Sequence, residues 1–284
     1  MAGNQGDQGD QGDQGDQGDI AATGGTAAVR FPTRADFPFS AAPHVADQTV
    51  PRKNFGDRNW AANWEAWCAL GDFAATNWRD RLAEFVSPPG EPTKEERQSL
   101  LDAAYEERAD ALGEIVAQQA EFISYFLAAM GSAPRARPAS MLVFHIANLA
   151  ATLAVMHFKR KYNRVRPSQL WPGLLPPLPV PGHASYPSGH ATQAYLFAHC
   201  AVAMLPDAQQ KGLGQVLFAL AERIARNREI AGLHYRSDSC AGKRLAEGIF
   251  QILTDERTMP HEDGKPSRFA AAMARARAEW TELG

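Results

Sequence analysis

The feature that most constrains this chain is the stretch from Ala139 to His157, whose only ionisable side chains are His145 and His157. A run of that length is nearly enough to cross a bilayer, and otherwise it has to be enclosed by other elements. The next most apolar run, Ala191 to Leu205, is shorter, and the mean hydropathy of the whole chain is negative. Both runs therefore read as buried helices of a soluble bundle with no transmembrane span.

The surroundings carry the same period. Trp60, Trp64 and Trp67, followed by Leu70, Phe73 and Trp78, recur at helical spacing before Pro88-Pro89, and such a stripe is expected to pack into a core. Thr93-Lys94-Glu95-Glu96 has the form of a capping box that opens an amphipathic run to Met130, ahead of Gly131 and Pro134. Further helices are predicted over Asp207–Glu229, Ser237–Leu253 and Ser267–Leu283. No alternating β-branched run competes, so the predicted class is all-α.

Residues 5–19 are five copies of Gln-Gly-Asp, which hold no apolar side chain to offset ordering entropy; residues 1–19 are expected to form a disordered tail. Residues 20–57, rich in Pro, Ala and Gly, are expected to run irregularly over one helical domain at 58–284. The formal net charge of -3 gives no global attraction to nucleic acid, so any anion site has to be assembled locally from a few cations. Cys68, Cys200 and Cys240 show no zinc spacing and read as buried free thiols. The N-terminus has no apolar signal stretch, which points to the cytoplasm. Aromatic residues of the first helices, if exposed, would offer a homo-oligomer interface.

Three stretches carry chemistry. In Lys159-Arg160-Lys161-Tyr162-Asn163-Arg164-Val165-Arg166-Pro167, Lys159 and Arg166 are seven apart, a spacing that would put both cations on one helical face just before Pro167 ends the helix. A solvated basic helix end would have the same pattern. In Ser185-Tyr186-Pro187-Ser188-Gly189-His190, the Ser188-Gly189 pair at a helix start offers a hydroxyl and open N–H groups to an anion, with His190 as a proton donor. A plain N-cap would read alike. The third stretch runs from Asn227-Arg228 to Asp238; His234 and Asp238 stand four apart, as on a helix, so the carboxylate can hold one ring nitrogen and free the other. Arg228 adds a bidentate oxyanion donor, although a surface ion pair would serve the same residues.

In order and spacing, Lys159 with Arg166-Pro167, then Pro187-Ser188-Gly189-His190, then Arg228 with His234 and Asp238 resemble the signature of the type 2 phosphatidic acid phosphatase and vanadium haloperoxidase superfamily. The resemblance covers residues 139–255 and implies that superfamily's helical bundle, in its soluble branch. Asn227 departs from it, because the family has Ser there.

By that resemblance, His234 attacks phosphorus and forms a phosphohistidine, Asp238 orients it, and His190 protonates the leaving group. Lys159, Arg166, Ser188, Gly189 and Arg228 surround the phosphate oxygens, and no metal or other cofactor is needed. The expected activity is hydrolysis of phosphate monoesters, or of lipid or pyrophosphate esters. The alternative is a bromoperoxidase-like enzyme that holds vanadate on His234 and oxidises halide with hydrogen peroxide. His183, five residues before Ser188, favours the alternative as part of a halide pocket; Met156, where haloperoxidases place Trp, speaks for the phosphatase.

Overall fold

A computed structural model describes residues 60–261 and 264–281; the repeat tail, the segment 20–57 and the start of the domain at 58 lie outside the described residues. Among the described residues eleven α-helices follow one another: α1 Ala62–Ala75, α2 Trp78–Ala83, α3 Lys94–Glu106, α4 Arg108–Ala120, α5 Ile123–Ala129, α6 Pro138–Tyr162, α7 Pro167–Leu170, α8 Gly189–Met204, α9 Asp207–Ile230, α10 Arg236–Leu253 and α11 Arg268–Thr281. Two 3-10 turns, Pro134–Ala136 and Pro172–Leu174, complete the described residues, which contain no strand. The fold is all-α.

Helix α8 is the centre of the bundle and packs against α6, α9 and α10, while α6 is flanked on its other sides by α1 and α11. Alanines make this packing close. Ala147, Ala150, Ala151 and Ala154 of α6 and Ala191, Ala194, Ala198 and Ala201 of α8 are all buried, so the two backbones approach without large side chains between them. Phe122, Phe126, Phe144 and Phe197 fill the end of the core; Phe126 and Phe144 each meet Phe197 near edge-on, at centroid distances of 5.8 and 5.5 Å, a favoured arrangement for aromatic quadrupoles.

Among the described residues one helix is long and apolar enough to cross a membrane by length and composition, the stretch 138–170 that contains α6. Its most apolar window is 72% buried among the other helices. Its N-terminus is capped from α11: the Ala139 and Ser140 N–H groups donate to the Glu279 carboxylate at 2.7 and 2.9 Å.

Several sequence expectations are corrected. Only the second half of the predicted stripe enters the core: Phe73 and Trp78 are buried and Leu70 packs against their cluster, but Trp60, Trp64 and Trp67 are 45, 60 and 55% exposed, and α1 buries Ala66 and Ala69 instead. Helical period alone cannot tell which of two apolar faces turns inward; here the small face fits against the long α6. The run from Thr93 to Met130 is three helices, broken at Glu107 and again at Glu121-Phe122, where the chain leaves the helical region. Of the cysteines only Cys200 is buried; Cys68 is exposed and Cys240 half-buried, and all are free thiols.

Candidate active site

Two helix ends and two helix starts converge at the site. Helix α6 ends where Asn163 takes a left-handed conformation (φ 46°) and its N–H returns to the Lys159 carbonyl at 2.9 Å. Arg166 is then the extended N-cap of the short α7, with Pro167 at the first helical position. Lys159 and Arg166 therefore do not share one helix face, as their spacing suggested. A short non-helical link brings both side chains inward instead, and each is only 1% exposed.

Both cations hold the loop before α8. Lys159 Nζ donates to the Ala184 and Ser185 carbonyls at 2.7 and 2.8 Å. Arg166 donates from Nε to the His183 carbonyl at 2.9 Å and from Nη1 to the Leu233 carbonyl at 3.0 Å, and its Nη2 meets His183 Nδ1 at 3.0 Å. Arginine only donates, so this contact uses His183 Nδ1 as the acceptor, while the same nitrogen lies 3.2 Å from the Ala184 carbonyl. Burial first, then the charge of Arg166, pushes the Lys159 ammonium well below the usual lysine range.

Ser188 is the N-cap of α8, its Oγ accepting from the Ala191 N–H at 3.4 Å. That leaves the hydroxyl proton free to be donated. Gly189 and His190 are the first two helical residues, where helix geometry supplies no acceptor for the backbone N–H. The loop is tied to α10 through the Ser188 N–H, which donates to the Asp238 carbonyl at 3.1 Å.

Helix α9 ends in a Schellman turn: Gly232 adopts φ 73°, its N–H reaches the Glu229 carbonyl at 2.8 Å, and the Leu233 N–H reaches the Arg228 carbonyl at 3.1 Å. This turn fixes Arg228, in the last turn of α9, relative to His234, two residues beyond the glycine. His234 precedes α10, so it and Asp238 are not successive turns of one helix. Asp238 is the third residue of α10 and reaches back toward the helix start, accepting from the Tyr235 N–H at 3.1 Å and meeting His234 Nδ1 at 3.0 Å. The pairing expected from the spacing is present, made by capping geometry.

Asp238 is wholly buried. Its Oδ2 also accepts from Ser185 Oγ at 2.5 Å, and its Oδ1 from Arg164 Nη1 at 2.7 Å. Arg164 is held in turn by Ser237 Oγ, by Glu96 at 3.4 Å and by the Tyr235 ring, 4.1 Å below its guanidinium. Glu96 does not close the capping box predicted for it. Thr93 Oγ1 accepts from the Glu96 N–H at 3.1 Å, but the Glu96 carboxylate turns to α10 and accepts from the Ser237 N–H at 3.1 Å.

His190 Nε2 donates to the Gln118 carbonyl at 3.2 Å, and its ring lies 5.3 Å from that of Phe122. Gln118 is positioned by Asn227, which donates at 2.8 Å to its side-chain oxygen and at 3.0 Å to Glu114. The electrostatics place the groups in one site. Burial, then Arg228 and His234, holds His190 well below the usual histidine range. Burial, then Arg166, Lys159, Arg228 and His183, does the same to His234.

Lys159, Arg166, Ser188, Gly189, His190, Arg228, His234 and Asp238 are thus brought together, with His183 beside them. Met156 stands apart, 38% exposed on α6. Glu96, Gln118, Arg164 and Ser185 escaped assignment from sequence. Arg164 and Ser185 lie inside the quoted stretches; Gln118 acts through its main-chain carbonyl, and no side-chain pattern marks such a role.

All the grouped cations and histidines fall within residues 141–254, which match the family model of the PAP2 superfamily. The match is to that segment alone, and its likeness to the PAP2 superfamily is consistent with a phosphatase-type hydrolase. A search of curated proteins finds no match. Among solved structures, the first transmembrane PAP2 type phosphatidylglycerolphosphate phosphatase from Bacillus subtilis aligns over 68% of this chain and 93% of its own at 19% identity, with a TM-score of 0.32. A likeness that loose carries no argument. Glu96, Gln118 and Glu114 lie outside the PAP2 match, so α3 and α4 add supports to the PAP2 site from a separate part of the chain.

Proposed function

We propose that this protein is a metal-independent phosphatase that hydrolyses phosphate monoesters, or lipid or pyrophosphate esters, through a phosphohistidine at His234. The observation that supports the reading best is the His234–Asp238 pair. With Nδ1–H held by a buried, fully bonded carboxylate, Nε2 keeps its lone pair, and the lowered pKa keeps the ring neutral at working pH.

In the proposed reaction, Nε2 of His234 forms a bond to phosphorus as the bond to the leaving oxygen breaks, and that oxygen takes a proton from His190. Water then attacks the phosphohistidine, His190 accepts its proton, the N–P bond breaks and phosphate leaves. Lys159, Arg166, Arg228, the Ser188 hydroxyl and the first N–H groups of α8 stabilise the charge that spreads over the equatorial oxygens. Three fixed cations supply what a metal would otherwise supply.

The haloperoxidase alternative uses the same donors. Tetrahedral vanadate fits three cations, a helix N-terminus and an open histidine nitrogen as phosphate does, and the His183 ring on Arg166 sets a further titratable group beside them.

The deciding experiment is hydrolysis of a chromogenic phosphate monoester in the presence of a chelator, with vanadate as inhibitor. Turnover that His234→Ala lowers roughly a thousandfold or more, the scale expected for a lost nucleophile, supports the phosphatase. No turnover from acid to neutral pH, together with bromination by the vanadate-loaded protein, gives the haloperoxidase instead.

A further inference from the structure

On the side of α10 away from Asp238, a cavity of about 210 Å³ opens between α8, α9 and α10. Arg236, Ser239, Cys240, Lys243 and Arg244 line it from α10, at the spacing of a single helical face. Tyr195 of α8 and Glu222 of α9 form the opposite wall.

Charge in this cavity is unbalanced. The one carboxylate, Glu222, is already engaged at both oxygens, by Arg236 at 2.6 Å on Oε1 and by the Tyr195 hydroxyl on Oε2. Lys243 Nζ lies 4.9 Å from the Tyr195 ring, and Arg244 meets only a backbone carbonyl, that of Phe85, at 3.3 Å. The charge of Lys243 is felt by Glu222, but neither Lys243 nor Arg244 makes a direct ion pair with a carboxylate among the described residues. A second, independent observation comes from Ser239: the residue is 2% exposed, it lines the cavity, and its Oγ has no hydrogen-bond partner. Buried hydroxyls are nearly always paired, so a partner for this one is missing.

We infer that the cavity is a second anion site, separate from the cage, which takes the phosphate group of a small ligand between Lys243 and Arg244 with Ser239 Oγ donating to one of its oxygens. Phosphate is favoured because tetrahedral oxygens can meet an ammonium, a guanidinium and a hydroxyl at once. The volume is below the roughly 300–1,000 Å³ of sites for drug-sized ligands, which limits the occupant to a phosphate and little more. Ser239 directly follows Asp238 in the chain, and Arg236, Cys240 and Lys243 carry the cavity face round to the side of α10 opposite Asp238.

Cys240 provides the readout. Iodoacetamide alkylation of the full chain, followed by peptide mass spectrometry, is measured with inorganic phosphate, with glycerol phosphate, and with sodium chloride at matched ionic strength. Phosphate is expected to slow alkylation of Cys240 several-fold and to leave the exposed Cys68 unchanged. The effect should persist in His234→Ala, disappear in Lys243→Ala/Arg244→Ala, and need several-fold more phosphate in Ser239→Ala. Protection by both phosphate compounds assigns the site to the phosphate group; protection by inorganic phosphate alone assigns it to the free anion. Alkylation that neither compound slows, or protection that survives in Lys243→Ala/Arg244→Ala, overturns the site. Because Lys243 and Arg244 lie outside the cage, unchanged turnover of the double variant confirms that it is folded.

Discussion

Each histidine of the site is held at one nitrogen by a group that is itself held. His234 rests on Asp238, which Arg164, Ser185 and the Tyr235 N–H fix in place. His190 rests on the Gln118 carbonyl, and Asn227 fixes Gln118. Asn227→Ala removes the donor from two acceptors and frees Gln118 to move. The expected result is a kcat lowered roughly tenfold to a hundredfold, the cost of a small misplacement of a catalytic group, with KM little changed. A wild-type kcat in this variant would show that Gln118 needs no such tether. The pH dependence follows from the depressed histidines. In the proposed mechanism the free enzyme holds the His190 proton only below its lowered pKa, so the alkaline limb of kcat/KM should fall below the ordinary imidazole value of about 6.5. A bound phosphate dianion favours the imidazolium and should move the limb of kcat upward. A kcat/KM that stays flat from acid to weakly alkaline pH would remove His190 as the acid. The histidines, Asp238 and the cations were legible in the sequence because their spacings recur as text. Gln118 was not, since a carbonyl belongs to every residue and only the fold selects one.

At the scale of elements, spacing marked residues that the fold brings together and misjudged how they meet. A separation of seven between Lys159 and Arg166 suggested one helix, yet Asn163 ends α6 early and the cations converge from separate segments. A separation of four between His234 and Asp238 suggested a helical pair, yet a Schellman turn and a helix start make the contact. Both errors have one cause: a short tight turn covers as much distance as a turn of helix, and periodicity does not separate them. The helices of the core, with their long apolar runs, were read nearly to their ends. The close seam between α8 and α10 rests on a residue that no pattern marks. A Cβ on Gly242 would lie 2.8 Å from the Ser188 carbonyl oxygen and 3.1 Å from the Thr192 nitrogen, both backbone atoms that cannot step aside. Gly242→Ala should therefore cost about 1–3 kcal/mol, as overpacking does, and lower Tm by several degrees. It should also reduce turnover, since the Ser188 N–H to Asp238 link crosses the same seam. Gly113→Ala is the control, because nothing lies within 4 Å of its added methyl on α4 and alanine favours the helix. Equal stability of the two variants in thermal unfolding would show that the seam is looser than this contact requires.

For the whole molecule, the site is a concentration of cost. Lys159 and Arg166 are buried near one another, and two histidines, His190 and His234, have their pKa values lowered by burial and by the neighbouring cations. Their folded-state pKa values lie below the unfolded value of about 6.5, so between those limits the unfolded chain binds more protons than the folded one. The histidine contribution is thus fully present above about pH 6.5 and is lost as pH falls toward the folded values. Thermal unfolding of the anion-free protein should show Tm declining as the medium is acidified from neutral, before the carboxylates titrate. A phosphate in the cage reverses the balance, because it makes the charged forms of Lys159 and the histidines favourable. At a hundredfold excess over its Kd it would add about 2.7 kcal/mol, worth several degrees of Tm in a chain of this size. The gain should be larger at acid pH than at neutral pH. Measuring it in Lys243→Ala/Arg244→Ala separates the cage from the outer cavity. A Tm that inorganic phosphate raises no more than matched sodium chloride would mean that the converging cations do not form an oxyanion cage, whatever their spacing in the sequence.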